Sequence, residues 1–124
     1  MKALRIERVG HAGLADIAKQ ELGPDDVRVK VKYVGLCGSD LNTFRGKNPL
    51  VEFPRVPGHE AAGTIIEIGA NVGEGLEVGQ TVIVWPYSAC GRCTSCAAGR
   101  AHACRHNETL GVQRDGALRE DIVL

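Results

Sequence analysis

The alternation of apolar and polar residues predicts a chain built mainly from short β-strands. The segment 2–8 alternates apolar and charged residues, as an edge strand does. A turn is predicted at 10–13, and the segment 14–20 is expected to return as the second strand of a hairpin. The run Gly23-Pro24-Asp25-Asp26 marks the next turn.

The clearest strand pattern lies between Val27 and Tyr33. Side chains at 27, 29, 31 and 33 are expected to point to one face, and the basic side chains Arg28, Lys30 and Lys32 to the other. Further along, a short helix is predicted over 39–45 with Ser39 near its N-cap. Strands are predicted over 61–68, 80–85 and 118–124, and the continuous apolar run 80–85 is typical of a buried strand.

Composition supports a single mainly β domain. The chain has 124 residues, 16 of them glycine, and only 4% aromatic residues, which favours tight turns between short strands. Lysine plus arginine and aspartate plus glutamate number 15 each, so no basic field exists to attract nucleic acid or anionic lipid. The apolar runs are too short to span a bilayer, and the N-terminus lacks a signal-peptide core. A cytoplasmic location with reduced thiols is therefore expected.

Four of the five cysteines fall in one segment, 88–107, that has little apolar material. Their spacing is C-x2-C-x2-C-x7-C, which allows four thiolates to surround one zinc ion in a closed structural site; they are Cys90, Cys93, Cys96 and Cys104. Two alternatives remain open. An iron–sulfur cluster usually continues after three residues to Cys-Pro, and disulfides suit a secreted protein. His102 and His106 flank the last cysteine and offer substitute ligands, although surface histidines are the simpler interpretation.

A second set of metal-binding residue types is spread over 37–60. Cys37, His59 and Glu60 together offer the mixed ligands of a catalytic zinc site, in which one position stays open for water or substrate. Asp40 is a candidate partner for the other ring nitrogen of His59. The alternative is that Cys37 is a small buried apolar residue and that His59 and Glu60 lie on the surface.

The motif Cys37–Asp40 (CGSD), then Gly58–Glu60 (GHE), then the four-cysteine segment resembles the zinc-containing medium-chain dehydrogenase/reductase family. The CGSD motif and the stretch 110–116 resemble most the branch of sorbitol, threonine and sugar-acid dehydrogenases. The resemblance covers essentially all 124 residues. It implies a GroES-like, partly open β-barrel with short helices and a zinc-binding lobe, forming one catalytic domain over 1–124.

The resemblance also implies roles for individual residues. Cys37 and His59 would be catalytic zinc ligands, with Glu60 beside the metal or bound to it. Ser39 would take the proton of a substrate alcohol, and Asp40 would orient the ligand histidine. The four clustered cysteines would hold a structural zinc. Asn42 stands at about the position where some members carry a proton-relaying histidine.

Other parts of such an enzyme are not found in the sequence. No G-x-G-x-x-G fingerprint is present, so NAD or NADP would be bound by a separate domain outside this chain. The expected activity is hydride transfer between a secondary alcohol or polyol and that cofactor, in a full-length homodimer or homotetramer, with the isolated chain inactive. The alternative is a zinc-stabilised, non-catalytic binding or interaction module.

Overall fold

A computed structural model describes all 124 residues, and the chain forms six strands and three short helical segments. No helix has the length and apolar character needed to cross a membrane. The strands are β1 (Lys2–Arg8), β2 (His11–Asp16), β3 (Val27–Gly35), β4 (Glu60–Ile68), β5 (Thr81–Ile83) and β6 (Asp121–Val123). The helices are α1 (Gly38–Phe44), α2 (Thr94–Ala97) and a 3-10 turn at Ala101–Ala103.

The strands form two open antiparallel sheets. β1 pairs with β2, and the second sheet has the order β5-β4-β3-β6. Along β3, Val29 pairs with Ile65 of β4 on one side and with Ile122 of β6 on the other. These three side chains are 2% exposed or less, so they lie at the centre of the core. The expected mainly β, incompletely closed architecture is confirmed.

The first hairpin is tighter than predicted. Gly10 adopts a φ of 72°, which reverses the chain directly after β1, so β2 begins at His11 and ends at Asp16 rather than running over 14–20. Most of β2 is exposed, including Leu14 at 81%. Because β2 does not bury one face, its sequence has no alternation that locates its ends.

The two faces expected along β3 do not by themselves account for the burial of its side chains. Tyr33 is 75% exposed, whereas Arg28 is only 3% exposed. The pairing of β3 with β4 shifts register between Arg28 and Val29 and again between Val31 and Tyr33. An irregularity of this kind disrupts the simple two-residue alternation on which the sequence prediction depends.

The apolar run 80–85 is not a buried strand. β5 covers only Thr81–Ile83 and lies at the edge of the larger sheet. Ile83 is 88% exposed and Trp85 is 74% exposed, whereas Val84 is buried in the core and Val82 packs partly against it. An uninterrupted apolar run shows that a segment avoids polar residues, but it does not show which of its faces the rest of the chain covers.

Candidate metal centres

The first candidate centre is built on the start of α1. The N-cap of this helix is Cys37 rather than Ser39. The Cys37 Sγ accepts a hydrogen bond from the Ser39 backbone N–H at 3.4 Å, and Asp40 Oδ2 accepts one from the Cys37 N–H at 3.0 Å. This reciprocal capping satisfies amides that a helix start otherwise leaves unpaired, and it holds the sulfur in position.

Asp40 also connects α1 to the segment that carries His59. Its other carboxylate oxygen, Oδ1, accepts a hydrogen bond from the Gly58 N–H at 3.2 Å, and the residue is 8% exposed. Both oxygens of Asp40 are therefore engaged by backbone amides. A buried carboxylate that bridges two segments in this way fixes their separation.

Two glycines allow another segment to pack directly on Gly58. Gly111 and Gly116 lie against its backbone, and a Cβ at Gly116 would overlap the carbonyl oxygens of Pro57 and Gly58. Gly58 itself has a φ of 97°. The position of His59 thus depends on glycines about 55 residues later in the sequence, which the sequence analysis did not identify as part of the site.

Cys37, Asp40 and His59 place ligand atoms within 4.8 Å of one another, with Ser39 beside the sulfur and Glu60 outside that group. The Cys37 Sγ is 3.3 Å from His59 Nε2 and 3.1 Å from the Ser39 Oγ. Glu60 Oε1 lies 4.0 Å from the same His59 nitrogen, and Asp40 Oδ1 lies 3.7 Å from His59 Nδ1. Glu60 is 57% exposed, whereas the His59 side chain is 17% exposed. One side of this centre is therefore open to solvent.

The donor geometry fits a zinc ion. A sulfur and an imidazole nitrogen that share tetrahedral zinc lie about 3.6 Å apart, close to the observed separation. The ring is oriented with Nε2 towards the sulfur, while the buried Nδ1 has no hydrogen-bond partner and faces Asp40. Because both Asp40 oxygens already accept backbone N–H bonds, Asp40 is better suited to hold the site than to bind the metal.

The second candidate centre is the four-cysteine lobe. The ligand sulfurs of Cys90, Cys93, Cys96 and Cys104 all lie within 4.8 Å of one another. Sulfurs that share tetrahedral zinc lie about 3.8 Å apart, so the cluster is compatible with one ion. Neither His102 nor His106 contributes an atom to this group.

Backbone amides prepare the lobe for negative charge. Hydrogen bonds from the backbone of Arg105 and then of Cys96 lower the pKa of Cys93 to about 6. Burial raises the pKa of Cys96 to about 12. A divalent cation would stabilise all four thiolates together.

Comparison with known proteins gives one consistent picture. The family model described as the alcohol dehydrogenase GroES-like domain matches residues 23–124. A sorbitol dehydrogenase from Halalkalibacterium halodurans is 38% identical over 92% of this chain and 33% of its own length. An L-threonine 3-dehydrogenase from Shewanella sp. ANA-3 is 34% identical over 100% of this chain and 37% of its own length.

A solved structure shares the whole architecture. The alcohol dehydrogenase RspB from Escherichia coli CFT073, complexed with NADH, superposes with a TM-score of 0.90 at 38% identity, covering 100% of this chain and 36% of that one. The GroES-like fold and the resemblance to the sorbitol and threonine branch are both confirmed. The chain spans about a third of the length of these relatives.

Proposed function

Because the chain belongs to the alcohol dehydrogenase GroES-like domain family of zinc-type medium-chain dehydrogenases, we propose that it is the catalytic domain of an NAD(P)-dependent dehydrogenase. The reaction is hydride transfer between a secondary alcohol or polyol and the nicotinamide. The observation that carries this proposal is the 3.3 Å separation of the Cys37 Sγ and His59 Nε2 beside a solvent-open side. A thiolate and an imidazole arranged in this way are the ligands of a catalytic zinc site.

Cys37 and His59 would hold the catalytic zinc, with Glu60 beside it as a further or intermittent ligand. When bound, the ion supplies Lewis-acid polarisation of the substrate oxygen. Asp40 and the glycines around Gly58 keep the two ligands at a fixed distance. The four cysteines of the lobe would hold a separate structural zinc, which leaves no open position.

Ser39 is the proposed proton carrier. Its hydroxyl lies 3.1 Å from the Cys37 sulfur, so a substrate oxygen placed at the metal would come within reach of it. In the oxidation direction Ser39 takes the proton of the alcohol, and in the reverse direction it returns one. Asn42 is exposed further along α1, and its amide does not take up a proton as an imidazole does, so a proton leaving Ser39 would reach water by another route.

The nicotinamide cofactor would be bound by a second domain outside residues 1–124, and that domain would complete the active site. The same domain would form the contacts of the proposed homodimer or homotetramer. RspB is seen with NADH, which makes NAD(H) the first cofactor to test. Without that domain, the 124-residue chain lacks a way to position the nicotinamide and is inactive.

A fusion protein tests this function. Residues 1–124 would replace the matching part of RspB, and oxidation of sorbitol, threonine and other secondary alcohols would be followed with NAD and NADP. We expect turnover that requires the transplanted site, so Cys37→Ser should reduce kcat/KM by at least 100-fold while Ser39→Ala reduces kcat.

Circular dichroism and zinc content provide the control for the fusion. A folded fusion with zinc bound but no turnover on any substrate would contradict the proposal and favour a non-catalytic binding module. NAD(P)-dependent oxidation by the unfused chain would contradict its proposed inactivity.

A further inference from the structure

An open cavity leads from the centre formed by Cys37 and His59 along the end of β5. Its volume is about 640 Å³, a size typical of sites that bind small molecules. His59 and Glu60 line one part of it, so the cavity is continuous with the solvent-open side of the metal centre. The rest of the lining includes four exposed apolar or aromatic side chains, which are Tyr33, Ile83, Trp85 and Tyr87.

Backbone hydrogen bonds hold this wall of the cavity in place beside the centre. Ala61 of β4 accepts a hydrogen bond from the Val84 N–H at 2.9 Å. The Pro86 carbonyl oxygen accepts one from the Leu110 N–H at 2.8 Å. Trp85 lies between these two anchored residues, so its backbone is held beside the strand that begins at the metal centre.

Trp85 and Tyr87 form an aromatic pair at this wall. Their ring centroids lie 5.5 Å apart with an interplanar angle of 69°, which is the edge-to-face geometry that such rings prefer. Both residues are exposed. Single exposed apolar side chains are ordinary on a protein surface, but several of them around one cavity mark a surface that contacts a ligand or another molecule.

The charge of the lining limits what the cavity can bind. No lysine or arginine side chain lines it, and its one carboxylate is that of Glu60. A phosphate or carboxylate group on a substrate would therefore meet no cation at this wall, and Glu60 would repel it. An alkyl or aryl group would instead gain free energy by leaving water to lie against the aromatic rings.

We propose that this cavity binds the part of the substrate that points away from the reacting carbon, and that the substrate is an uncharged secondary alcohol with an alkyl or aryl group. This inference rests on the proposed dehydrogenase function and narrows its substrate class. Ile83, Trp85 and Tyr87 are specificity-determining residues that contact the apolar group, while the hydroxyl lies towards His59.

Tryptophan fluorescence tests the inference directly, because Trp85 is the only tryptophan of the chain. The zinc-loaded 124-residue protein is titrated with cyclohexanol, sorbitol or gluconate, which do not fluoresce. We expect a saturable change with cyclohexanol, at a half-saturating concentration at least about tenfold below that of sorbitol, and no change with gluconate.

Two matched variants locate the binding. Ile83→Ser removes an exposed apolar side chain of the wall and should raise the half-saturating concentration of cyclohexanol about tenfold. Leu14→Ser removes a similarly exposed side chain of β2 that lies outside the cavity, and it should leave that concentration unchanged. Circular dichroism should show that both variants are folded.

Several results would overturn the inference. Sorbitol or gluconate acting at the same concentration as cyclohexanol would reject the apolar substrate class, and so would a fusion with RspB that oxidises sorbitol in preference to cyclohexanol; both leave the dehydrogenase function standing. No saturable change with any of the three compounds would reject binding at this wall. If cyclohexanol binds but a folded, zinc-loaded fusion oxidises no alcohol, the proposed function fails, and with it the role of the cavity in binding a substrate.

Discussion

At the scale of single residues, the candidate catalytic centre depends on backbone contacts as much as on its ligands. Asp40 accepts hydrogen bonds from the amides of Cys37 and Gly58, so one buried carboxylate connects both ligand segments. Gly116 allows the chain to pass directly over Pro57 and Gly58. These contacts determine the distance between a sulfur and a nitrogen that lie 22 positions apart.

Replacing Gly116 with alanine should therefore disturb the centre. The new Cβ would overlap two carbonyl oxygens of the segment before His59, and we expect the free energy of unfolding to fall by about 1–3 kcal/mol. Urea denaturation, monitored by circular dichroism, would measure this change in the free energy of unfolding. Gly13→Ala is the matched control, since its Cβ would meet nothing within 4 Å. Equal stability of the two variants would show that the close approach is not required.

At the scale of secondary structure elements, β3 holds the larger sheet together through one buried arginine. Arg28 of β3 forms ion pairs with Glu67 of β4 and Asp121 of β6. Asp121 is 93 positions away in sequence and 13% exposed at its side chain. The ion pairs connect three neighbouring strands beside the apolar core, which contains Val29, Ile65 and Ile122.

Arg28→Ala should be strongly destabilising. It would leave the largely buried carboxylate of Asp121 without its cation, and breaking a buried pair from one side costs about 3–5 kcal/mol. Chemical denaturation measures the loss. Lys30→Ala, at an exposed position of the same strand, should change stability by less than about 0.5 kcal/mol. A loss below 1 kcal/mol for Arg28→Ala would mean that the cluster is not stabilised by these pairs.

The same cluster predicts a pH dependence. The hydrogen bond that Glu67 accepts from Arg28 lowers the pKa of Glu67 from its ordinary value of 4.5. As the pH falls, the Glu67 carboxylate therefore takes up a proton in the unfolded state before it does so in the folded state. The ion pair with Arg28 consequently stabilises the folded state above pH 4.5, and this contribution is lost as the pH falls through the lower pKa of the folded state. The difference in the free energy of unfolding between the unsubstituted protein and Glu67→Gln should therefore become smaller as the pH falls, as measured by chemical denaturation at a series of acid pH values. The exposed Glu74→Gln control should show no such trend.

At the scale of the whole molecule, two kinds of interaction organise the chain. The sheets surround an apolar core, whereas within 88–107 only Cys104 is buried. The lobe has helical segments of four and three residues, which are too short to be stable in isolation. Its conformation therefore depends on whatever holds the four sulfurs together.

Removing zinc should unfold the lobe and leave the sheets folded. With a chelator, we expect amide hydrogen-exchange protection to be lost over 88–107 and retained in β3 and β4. Elemental analysis should give about one tightly held zinc per chain, since the Cys37–His59 centre has fewer protein ligands. Cys96→Ser should lose that ion and Cys37→Ser should keep it. Two stoichiometric zincs, or protection that does not change, would contradict this distribution.

The sequence by itself indicated two candidate sets of metal ligands, one in the sulfur-rich lobe and one at the Cys37–His59 centre. The four clustered cysteines could be selected from their spacing, because four thiols within 15 residues are close in any compact fold. Cys37 and His59 could be selected only because their motifs resemble those of a known family. The alternation in β1 and β3 likewise predicted strands, because a two-residue period reflects burial on one side.

Tertiary structure alone decided which charges are buried and which apolar residues are exposed. Arg28 and Arg119 lie inside the molecule, while Ile83 and Trp85 lie outside it. The local sequence around each of them is compatible with either environment. Burial is a property of the partners that a residue meets across the fold, and for Arg28 those partners lie 39 and 93 positions away.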